Sequence, residues 1–399
     1  MNVIPSTHPP VAGPWPASNA APSRAGVRAT GSTVNYGLLG CGMMGQEHLR
    51  NILLQRDAAV TAILEPDPAM RALAAALAPR ARLVDRIEDL LASDVDALVI
   101  ASPNHHHVAQ IAQIAARRPL PLMVEKPACI SLEEARRLET LARDYPAPLW
   151  VAMDYRYMPP VARLIAEAPV RTGGVRMLSI REHRYPFLHK VGAWNRFNRT
   201  TGGTLVEKCC HFFDLMCLIL GDRPVRVFAS GAQDVNHKDE AYDGAAPDVI
   251  DNAYVVLDFA GGARAMLDLC MFAEGARYQE EIAATGPLAR IEALVPGPTR
   301  FWPDELGPPP VAQVILSPRD PKGPRVLEVP VHPALLAAGD HNGSTFYQHE
   351  RFLAAVRGEG AVEVGLREGL RAVRIGLAAQ RSALTGQAVD LTEGEYGLG

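Results

Sequence analysis

The sequence predicts two domains, a doubly wound parallel α/β domain followed by a domain built on an antiparallel sheet. The chain has 399 residues, more than the ~250–300 residues over which a single apolar core keeps growing. From residue 34 to about residue 155, buried-type strands alternate with helical patterns, as in a parallel sheet covered on both faces. Beyond that point, strand patterns follow one another with short turns between them, which favours antiparallel pairing.

The first 32 residues differ from the rest because they are rich in Pro, Ala, Gly and Ser and have no apolar periodicity. Such a segment buries too little apolar surface to offset the entropy of ordering. We therefore expect a disordered tail at 1–32, although an arm that wraps a neighbouring subunit is also possible. The first domain is then 33–155 and the second is 156–399, with final helices that can pack back on the first.

The elements of the first domain follow from alternating periodicities. Short apolar runs predict strands at 34–39, 60–64, 95–101, 122–124 and 149–153. Helical spacing predicts helices at 44–55, 67–78, 104–118 and 131–144. The last of these helices opens with Ser131 and Glu134, the spacing of a capping box.

The second domain shows period-two patterns, and Gly261–Gly262 between two of its strands indicates a hairpin. The predicted strands are 176–182, 226–230, 252–259, 263–271 and 279–285, and the predicted helices are 204–220, 343–356 and 367–385. The stretch 288–338 is rich in Pro, so we expect long loops there.

Composition excludes several classes of protein. The formal net charge is −4, which argues against a uniformly basic nucleic-acid surface. No apolar run approaches the ~18 residues of a membrane-spanning helix. Six cysteines without a CxxC pair predict a reduced, cytoplasmic protein rather than a disulfide scaffold.

The strongest motif is the GxGxxG of Gly40–Gly45, which follows a strand and opens a helix. Its glycines allow a tight turn, the approach of a pyrophosphate and close helix packing, and the helix end attracts phosphates. Glu65 ends the next strand, where an acid binds a ribose 2′-hydroxyl and repels a 2′-phosphate. The motif thus predicts NAD rather than NADP; the alternative is a glycine turn beside a solvated glutamate.

Two further strands end in polar residues that face the same crevice of an open α/β sheet. Ser102 and Asn104 begin one such end, followed by His105–His107. Adjacent helical residues point about 100° apart, so these histidines cannot converge on one metal ion. At the other end, Glu125 and Lys126 precede Pro127. Lys126 can stabilise a substrate alkoxide, or it can be an ordinary surface lysine.

A third group lies on the predicted helix 204–220, where Glu207, His211 and Asp214 share one face at i, i+4 and i+7. A histidine held by a carboxylate in apolar surroundings suits general-base work. Two alternatives remain open: a core histidine satisfied by an acid, and a Glu/His/Asp metal site. The stretches 154–157 and 194–196 mix aromatic rings with hydrogen-bond donors, which suits a sugar or polyol but also ordinary interdomain packing.

Taken together, these residues resemble the Gfo/Idh/MocA oxidoreductases, a group with inositol dehydrogenases and glucose–fructose oxidoreductase. The resemblance spans about residues 34–391. It rests on Gly40–Gly45 with His48, on Pro103-Asn104 with His107, on Glu125-Lys126-Pro127, on Arg156 with Pro159, on Gly202-Gly203 with His211 and Asp214-Leu215, and on Arg381-Ser382 with Gly386 and Val389.

The resemblance implies an N-terminal Rossmann domain and a C-terminal α/β domain on an open, mostly antiparallel sheet, whose exposed face builds homodimers or homotetramers. It also implies that Lys126 contacts substrate and cofactor and that His211 is the base. Glu207 stands where the family often has Asp, so its role in orienting His211 is an expectation with a longer side chain.

The expected cofactor-binding residues are Gly40, Gly42, Met43, Met44, Gly45, Glu65, Ser102, Asn104, His107, Glu125 and Lys126. The expected substrate-binding residues are Lys126, Arg156, Tyr185, Trp194, Asn195 and His211, and the expected catalytic residues are Lys126, His211 and Glu207. No metal is expected. The reaction expected is NAD-dependent oxidation of a secondary hydroxyl of a sugar, inositol or other polyol. The alternatives are an NAD-dependent glycosidase, a non-catalytic NAD-binding regulator and an NADPH-dependent carbonyl reductase.

Overall fold

A computed structural model describes residues 32–398, and the prediction of a disordered tail falls almost entirely outside this range. Within it, the chain builds one parallel sheet and one mixed, mostly antiparallel sheet. The predicted fold class is therefore confirmed. No helix in the described part of the chain is long and apolar enough to cross a membrane.

The first sheet has six parallel strands in the order β3-β2-β1-β4-β5-β6. Its strands are β1 (Val34–Leu39), β2 (Ala58–Leu64), β3 (Arg82–Val84), β4 (Ala97–Ile100), β5 (Leu122–Val124) and β6 (Leu149–Val151). The intervening helices are α1 (Met43–Leu54), α2 (Pro68–Leu77), α3 (Ile87–Ala92), α4 (His107–Arg117) and α5 (Leu132–Ala142). The strand order reverses between β1 and β4, which creates a crevice at their carboxyl ends.

The second sheet has nine strands in the order β14-β13-β12-β11-β7-β10-β9-β8-β15, and only β7 and β10 pair in parallel. The strands are β7 (Met177–His183), β8 (Pro224–Ala232), β9 (Asn252–Phe259), β10 (Arg264–Cys270), β11 (Glu280–Thr285), β12 (Ala289–Val295), β13 (Gln313–Pro318), β14 (Arg325–Glu328) and β15 (Val389–Asp390). The accompanying helices are α6 (Pro159–Arg171), α7 (Asn198–Thr201), α8 (Thr204–Glu207), α9 (Cys210–Leu220), α10 (Pro333–Ala338), α11 (Ser344–Val356) and α12 (Leu366–Thr385).

The two faces of the second sheet differ in burial. Along β9, Ala253, Val255 and Leu257 are buried, whereas Tyr254 and Val256 are exposed. Helices α9 and α12 pack on the buried face. The alternation follows from the two-residue period of a strand with one face covered. Within residues 32–398, the other face of the sheet is therefore exposed.

The prediction of long loops at 288–338 is wrong, because β12, β13, β14 and α10 lie within it. Prolines such as Pro287, Pro296 and Pro318 stand at the strand ends and obscured the pattern. Between the first two, β12 alternates strictly between buried and more exposed positions. The prolines therefore delimit strands here rather than replace them. Three further elements were also missed: β3 and α3, which are short, and α6, which begins with two prolines.

The prediction of one continuous helix at 204–220 is also wrong. The helix stops at Glu207, turns through Lys208 and Cys209, and resumes as α9. The carbonyl of Glu207 consequently accepts a hydrogen bond from the Lys126 ammonium at 2.8 Å. The shared helical face inferred for Glu207 and His211 therefore does not exist in that form.

Elements from the end of the chain pack back on the first sheet. Helix α11 contacts α1, and α12 contacts α5 and β6. The amide of Val151 in β6 also donates to the carbonyl of Val364, at 2.9 Å. These contacts cross the proposed boundary at residues 155/156, which stays a prediction.

Candidate active site

The glycine turn after β1 has the geometry that its motif predicts. Gly40 has φ +89°, and an added Cβ there would lie 2.7 Å from the Ser102 nitrogen. At Gly45 a Cβ would lie 2.3 Å from the Gly40 carbonyl oxygen, so only glycine lets α1 approach the strand. An added Cβ at Gly42 meets nothing within 4 Å. The turn thus has no room for a side chain at Gly40 or Gly45, where it packs on the protein, but it has free space at Gly42, which lines the crevice. This arrangement fits the binding of a dinucleotide pyrophosphate.

A cleft of about 740 Å³ runs along the carboxyl ends of β1, β2, β4 and β5. Nine of the eleven predicted cofactor residues line it: Gly40, Gly42, Met43, Met44, Glu65, Ser102, Asn104, Glu125 and Lys126. Its other wall belongs to a second-sheet loop with His189, Lys190 and Trp194, and to Glu207. The cleft therefore lies between the first sheet and the elements that follow it.

Glu65 stands at the end of β2 with both carboxylate oxygens engaged. They accept hydrogen bonds from the amides of Cys41 and Asp67, at 2.5 and 2.8 Å. The carboxylate is thereby fixed at the base of the glycine turn, where it lines the cleft. Its contact with a cofactor ribose stays a prediction.

Lys126 reaches from the end of β5 to the opposite wall of the cleft, where its ammonium donates to the Glu207 carbonyl. Burial disfavours the ammonium, but the charges of Glu207 and Glu125 raise the pKa of Lys126 above its ordinary value. The lysine therefore carries a positive charge at neutral pH. Such a charge at the reacting end of the cleft can stabilise a developing alkoxide.

Glu207 binds partners other than the one inferred for it. Its carboxylate accepts from the amide of Asn104 and from the Lys190 ammonium at 3.4 Å. Burial would raise its pKa, yet Lys126, Lys190 and the Asn104 hydrogen bond lower it to about 2. Glu207 is thus a fixed anion that ties the two walls of the cleft together, and the contact expected with His211 is absent from its hydrogen bonds.

The acid nearest to His211 Nδ1 is Asp154, three residues after the end of β6. His211 Nδ1 lies 3.7 Å from Asp154 Oδ1, and the imidazole ring stacks on Tyr155 with centroids 4.1 Å apart. Burial lowers the pKa of His211 well below its ordinary range, and the charges of Lys126 and Lys208 lower it further. His211 is 2% exposed. It is therefore a neutral, buried imidazole whose Nδ1 makes no hydrogen bond within the described part of the chain, although the charges of Asp154 and Lys126 lie close enough to act on it.

Asp154 belongs to a buried network that joins α1 to the segment before α11. Its Oδ2 accepts from the Ser344 hydroxyl at 2.7 Å. Nearby, His341 Nδ1 and Glu47 Oε1 lie 2.7 Å apart. Burial opposes both charges, but each group favours the other: the pKa of Glu47 is lowered to about 2, and that of His341 is raised to about 9. The network holds the Asp154 side of the site in place.

Two predicted cofactor residues, Gly45 and His107, contact other parts of the protein and do not line the cleft. Gly45 packs against the Gly40 carbonyl. His107 is buried, and its ring nitrogens lie 2.9 and 3.0 Å from the carbonyls of Pro127 and Ser102. It therefore joins the ends of β4 and β5. The side-chain amide of Asn104, which does line the cleft, donates to the Glu207 carboxylate.

Of the predicted substrate residues, two line the cleft and the others do not. Lys126 and Trp194 line the cleft, and the Lys190 ammonium lies 4.4 Å from the centre of the Trp194 ring. Arg156 is buried in a bidentate ion pair with Asp214 at 2.5 Å. That pair takes both side chains away from the cleft wall. Asn195 is buried and donates to the Leu188 carbonyl, while Tyr185 packs on Phe301.

The sequence analysis identified 154–157 as a stretch that suits a polyol, but it did not predict that Asp154 and Tyr155 contact His211, and it did not place Lys190 at the cleft. The first of these could have been found, because Asp154 and Tyr155 follow β6 at the same sheet edge as Lys126. Lys190 sits in a loop whose pattern carries no such signal. Within residues 32–398, no three His, Cys, Asp or Glu side chains are arranged to hold a metal ion.

The chain was then compared with known proteins. Residues 34–153 match the Gfo/Idh/MocA model described as an oxidoreductase family with an NAD-binding Rossmann fold. Residues 171–292 match the model of that family's C-terminal alpha/beta domain. An inositol 2-dehydrogenase of Rhizobium meliloti (strain 1021) is 32% identical over 239 residues, which cover 59% of this chain and 68% of that protein.

Two solved structures share the fold. An oxidoreductase from Agrobacterium radiobacter, in complex with NAD⁺, L-tartaric acid and magnesium, superposes with a TM-score of 0.74 at 18% identity. The match covers 90% of this chain and 98% of that one. A levoglucosan dehydrogenase in complex with NADH and levoglucosan gives 0.73 at 20% identity, covering 91% and 100%.

Proposed function

We propose that this chain, which belongs to the Gfo/Idh/MocA oxidoreductase family, oxidises a secondary hydroxyl of an inositol, sugar or related polyol to a ketone. The chain is an NAD-binding oxidoreductase, and its relatives include a dehydrogenase that acts on an inositol. The observation that carries the proposed reaction is that the cationic Lys126, which lines the cleft, acts electrostatically on the neutral imidazole of His211, which is buried and is not among the residues that line the cleft.

The reaction removes a proton and a hydride from one CH–OH group. NAD, when bound along Gly40–Gly45, supplies the hydride acceptor. Asp154 beside Nδ1 favours the tautomer with its proton on that nitrogen, so Nε2 of His211 is free to accept the hydroxyl proton. The Lys126 ammonium stabilises the oxygen as that proton leaves.

The burial of His211 determines how a substrate can reach it. His211 is almost fully buried, so we infer that the wall carrying Lys190 and Trp194 gives way when a polyol enters. The Glu207 carboxylate tethers that wall to Asn104. Substrate hydroxyls can replace these polar contacts, which favours a polyol over an apolar alcohol.

The test is NADH formation at 340 nm when the purified protein is incubated with NAD and a panel of inositols and sugars. We expect turnover with at least one polyol and loss of turnover in Lys126→Met. Cleavage of a glycoside without net NADH would instead identify a glycosidase. Binding of NAD with no turnover on any substrate would identify a regulator.

Cofactor choice has its own test at Glu65. The carboxylate repels a 2′-phosphate, so the wild type should turn over faster with NAD than with NADP. Glu65→Ser should lower the ratio of the turnover rate with NAD to that with NADP. A wild type that prefers NADP would contradict the argument.

We also propose a homodimer or homotetramer formed through the open face of the second sheet. Phe228, Val256 and Met266 are adjacent in register across β8, β9 and β10, and all three are exposed. An exposed apolar row of this kind is typical of an interface. A cytoplasmic location stays a prediction.

A further inference from the structure

A second groove, of about 470 Å³, lies between α5, the turn before β8, and α12. It shares no lining residue with the cofactor cleft. Its most prominent feature is a set of five arginines: Arg143, Arg223, Arg367, Arg371 and Arg374. No motif in the sequence predicted this site, because its residues come from distant parts of the chain.

The charges in this groove are not balanced. Arg374 and Arg367 are paired with Glu139 and Glu368, and the other three arginines, Arg143, Arg223 and Arg371, exceed the remaining lining carboxylate, Asp222, by two charges. Glu139 pairs with Arg374 at 2.7 Å. The Asp222 oxygens accept backbone amides of Arg223 and Gly261. The whole chain has a net charge of −4, so this excess is local.

Helix geometry concentrates the charge further. Arg367, Arg371 and Arg374 occupy positions i, i+4 and i+7 of α12 and so lie along one edge of it. In the described part of the chain, the Nε atoms of Arg371 and Arg374 are buried without a hydrogen-bond partner. Buried donors normally have acceptors. Leu370 and Leu398 supply apolar surface between the guanidinium groups.

We propose that this groove binds a small polyanion with two or more phosphate or carboxylate groups. Guanidinium groups present planar forks that bind such groups in a bidentate way. The volume suits a diphosphate, a sugar phosphate or a tricarboxylate, and is smaller than the cleft assigned to the dinucleotide. Since α5 covers the first sheet and β8 belongs to the second, the bound anion contacts both halves of the molecule.

The test is calorimetric titration of the NAD-saturated protein with inorganic pyrophosphate, and separately with citrate, at constant ionic strength. Saturating NAD keeps pyrophosphate out of the glycine turn. We expect saturable binding of at least one probe, and a higher melting temperature than the same ionic strength of NaCl gives. Binding of one probe alone identifies which acidic group the groove takes, and binding of neither overturns the proposal.

Variants locate the site. Arg143 and Arg223 are exposed arms of the groove, so Arg143→Ala/Arg223→Ala should fold normally and weaken binding at least tenfold. The control, Arg136→Ala/Arg137→Ala, removes two exposed arginines of the same helix α5 that do not line the groove. It should leave the affinity within twofold. Equal weakening by both pairs would overturn the proposal, as would unchanged binding in the first pair. NAD affinity should be the same in all variants.

Discussion

The side chain on which the proposed chemistry depends most is His211, whose proposed function as a base depends on its surroundings. Burial and the charges of Lys126 and Lys208 lower its pKa, so the imidazole is neutral and able to accept a proton at pH 7. His211→Ala should reduce kcat by about 10²–10⁴-fold, the usual contribution of a general base. NAD affinity, measured by fluorescence titration, should change far less. A variant with normal turnover would remove His211 from the mechanism.

The same pKa shift has a consequence for the pH profile. A base with a lowered pKa loses activity only when the pH falls below that lowered value. The acid limb of kcat/KM should therefore lie below pH 6.5, the ordinary value for histidine. An acid limb above pH 7 would contradict a His211 that is neutral through burial.

Asp154 and Glu207 offer a direct comparison at the residue scale. In the proposed mechanism Asp154 positions His211, so Asp154→Asn should lower kcat about tenfold to hundredfold with little change in KM. Glu207 tethers the cleft wall, so Glu207→Gln should chiefly raise the substrate KM. Steady-state kinetics on the same polyol separates the two. Partial recovery of kcat in Asp154→Glu would support a positioning role. If Glu207→Gln instead lowered kcat and Asp154→Asn instead raised KM, Glu207 would be the acid that orients His211.

At the element scale, the packing of α12 against α8 depends on one glycine. A Cβ at Gly376 would lie 2.5 Å from the Leu205 carbonyl oxygen. Gly→Ala inside a helix usually stabilises by roughly 0.5–1 kcal/mol, but overpacking costs about 1–3 kcal/mol. Gly376→Ala should therefore lower the free energy of unfolding in urea. Gly275→Ala, where the added Cβ meets nothing within 4 Å, is the control and should be nearly neutral.

The stability of the contact between α1 and the segment before α11 should depend on pH, because Glu47 and His341 form an ion pair there. Glu47 has a lowered folded pKa of about 2, so its stabilisation is complete above the unfolded value near 4.5 and is lost as the pH falls toward 2. His341 has a raised folded pKa of about 9, so its stabilisation is complete below 6.5 and is lost as the pH rises through 9.

The two titrations together define a pH range in which the Glu47–His341 pair stabilises the fold most. The free energy of unfolding of the wild type should exceed that of Glu47→Gln by the largest margin between about pH 4.5 and 6.5, by about 3–5 kcal/mol for a broken buried pair. Urea titrations at pH 3.5, 5.5 and 8.5 measure the margin. Glu305→Gln, at an exposed carboxylate, should show no such window. A margin that is independent of pH would mean that Glu47 acts through packing alone.

At the scale of the whole molecule, the open face of the second sheet governs assembly. Val256 and Met266 are adjacent in register and each is 39% exposed, so Val256→Glu/Met266→Glu should convert the proposed dimer or tetramer into monomers. Light scattering after gel filtration measures the mass. Leu384→Glu, at an exposed leucine of α12 outside that face, should leave assembly unchanged. A wild type that is monomeric at micromolar concentration would contradict the interface.

The sequence carried enough local information for most elements of the first half of the fold and for the geometry of the glycine turn. Gly40, Gly42 and Gly45 have steric requirements that act within a few residues, and strand ends of a parallel sheet share one edge. Period-two patterns likewise predicted the strands from β7 to β11. The prolines around β12–β14 were misread because a proline that ends a strand and one that belongs to a loop look alike in sequence.

What tertiary structure alone decided is which side chains meet. Lys126 and His211 were each identifiable from local motifs, but the acid beside His211 is Asp154, brought there from the end of β6. The break after Glu207 freed a carbonyl for Lys126 and turned the carboxylate toward Asn104. Periodicity describes neighbours along a helix or a strand. Pairings between residues more than fifty positions apart depend on how the packed elements close over one another, and no local pattern encodes that.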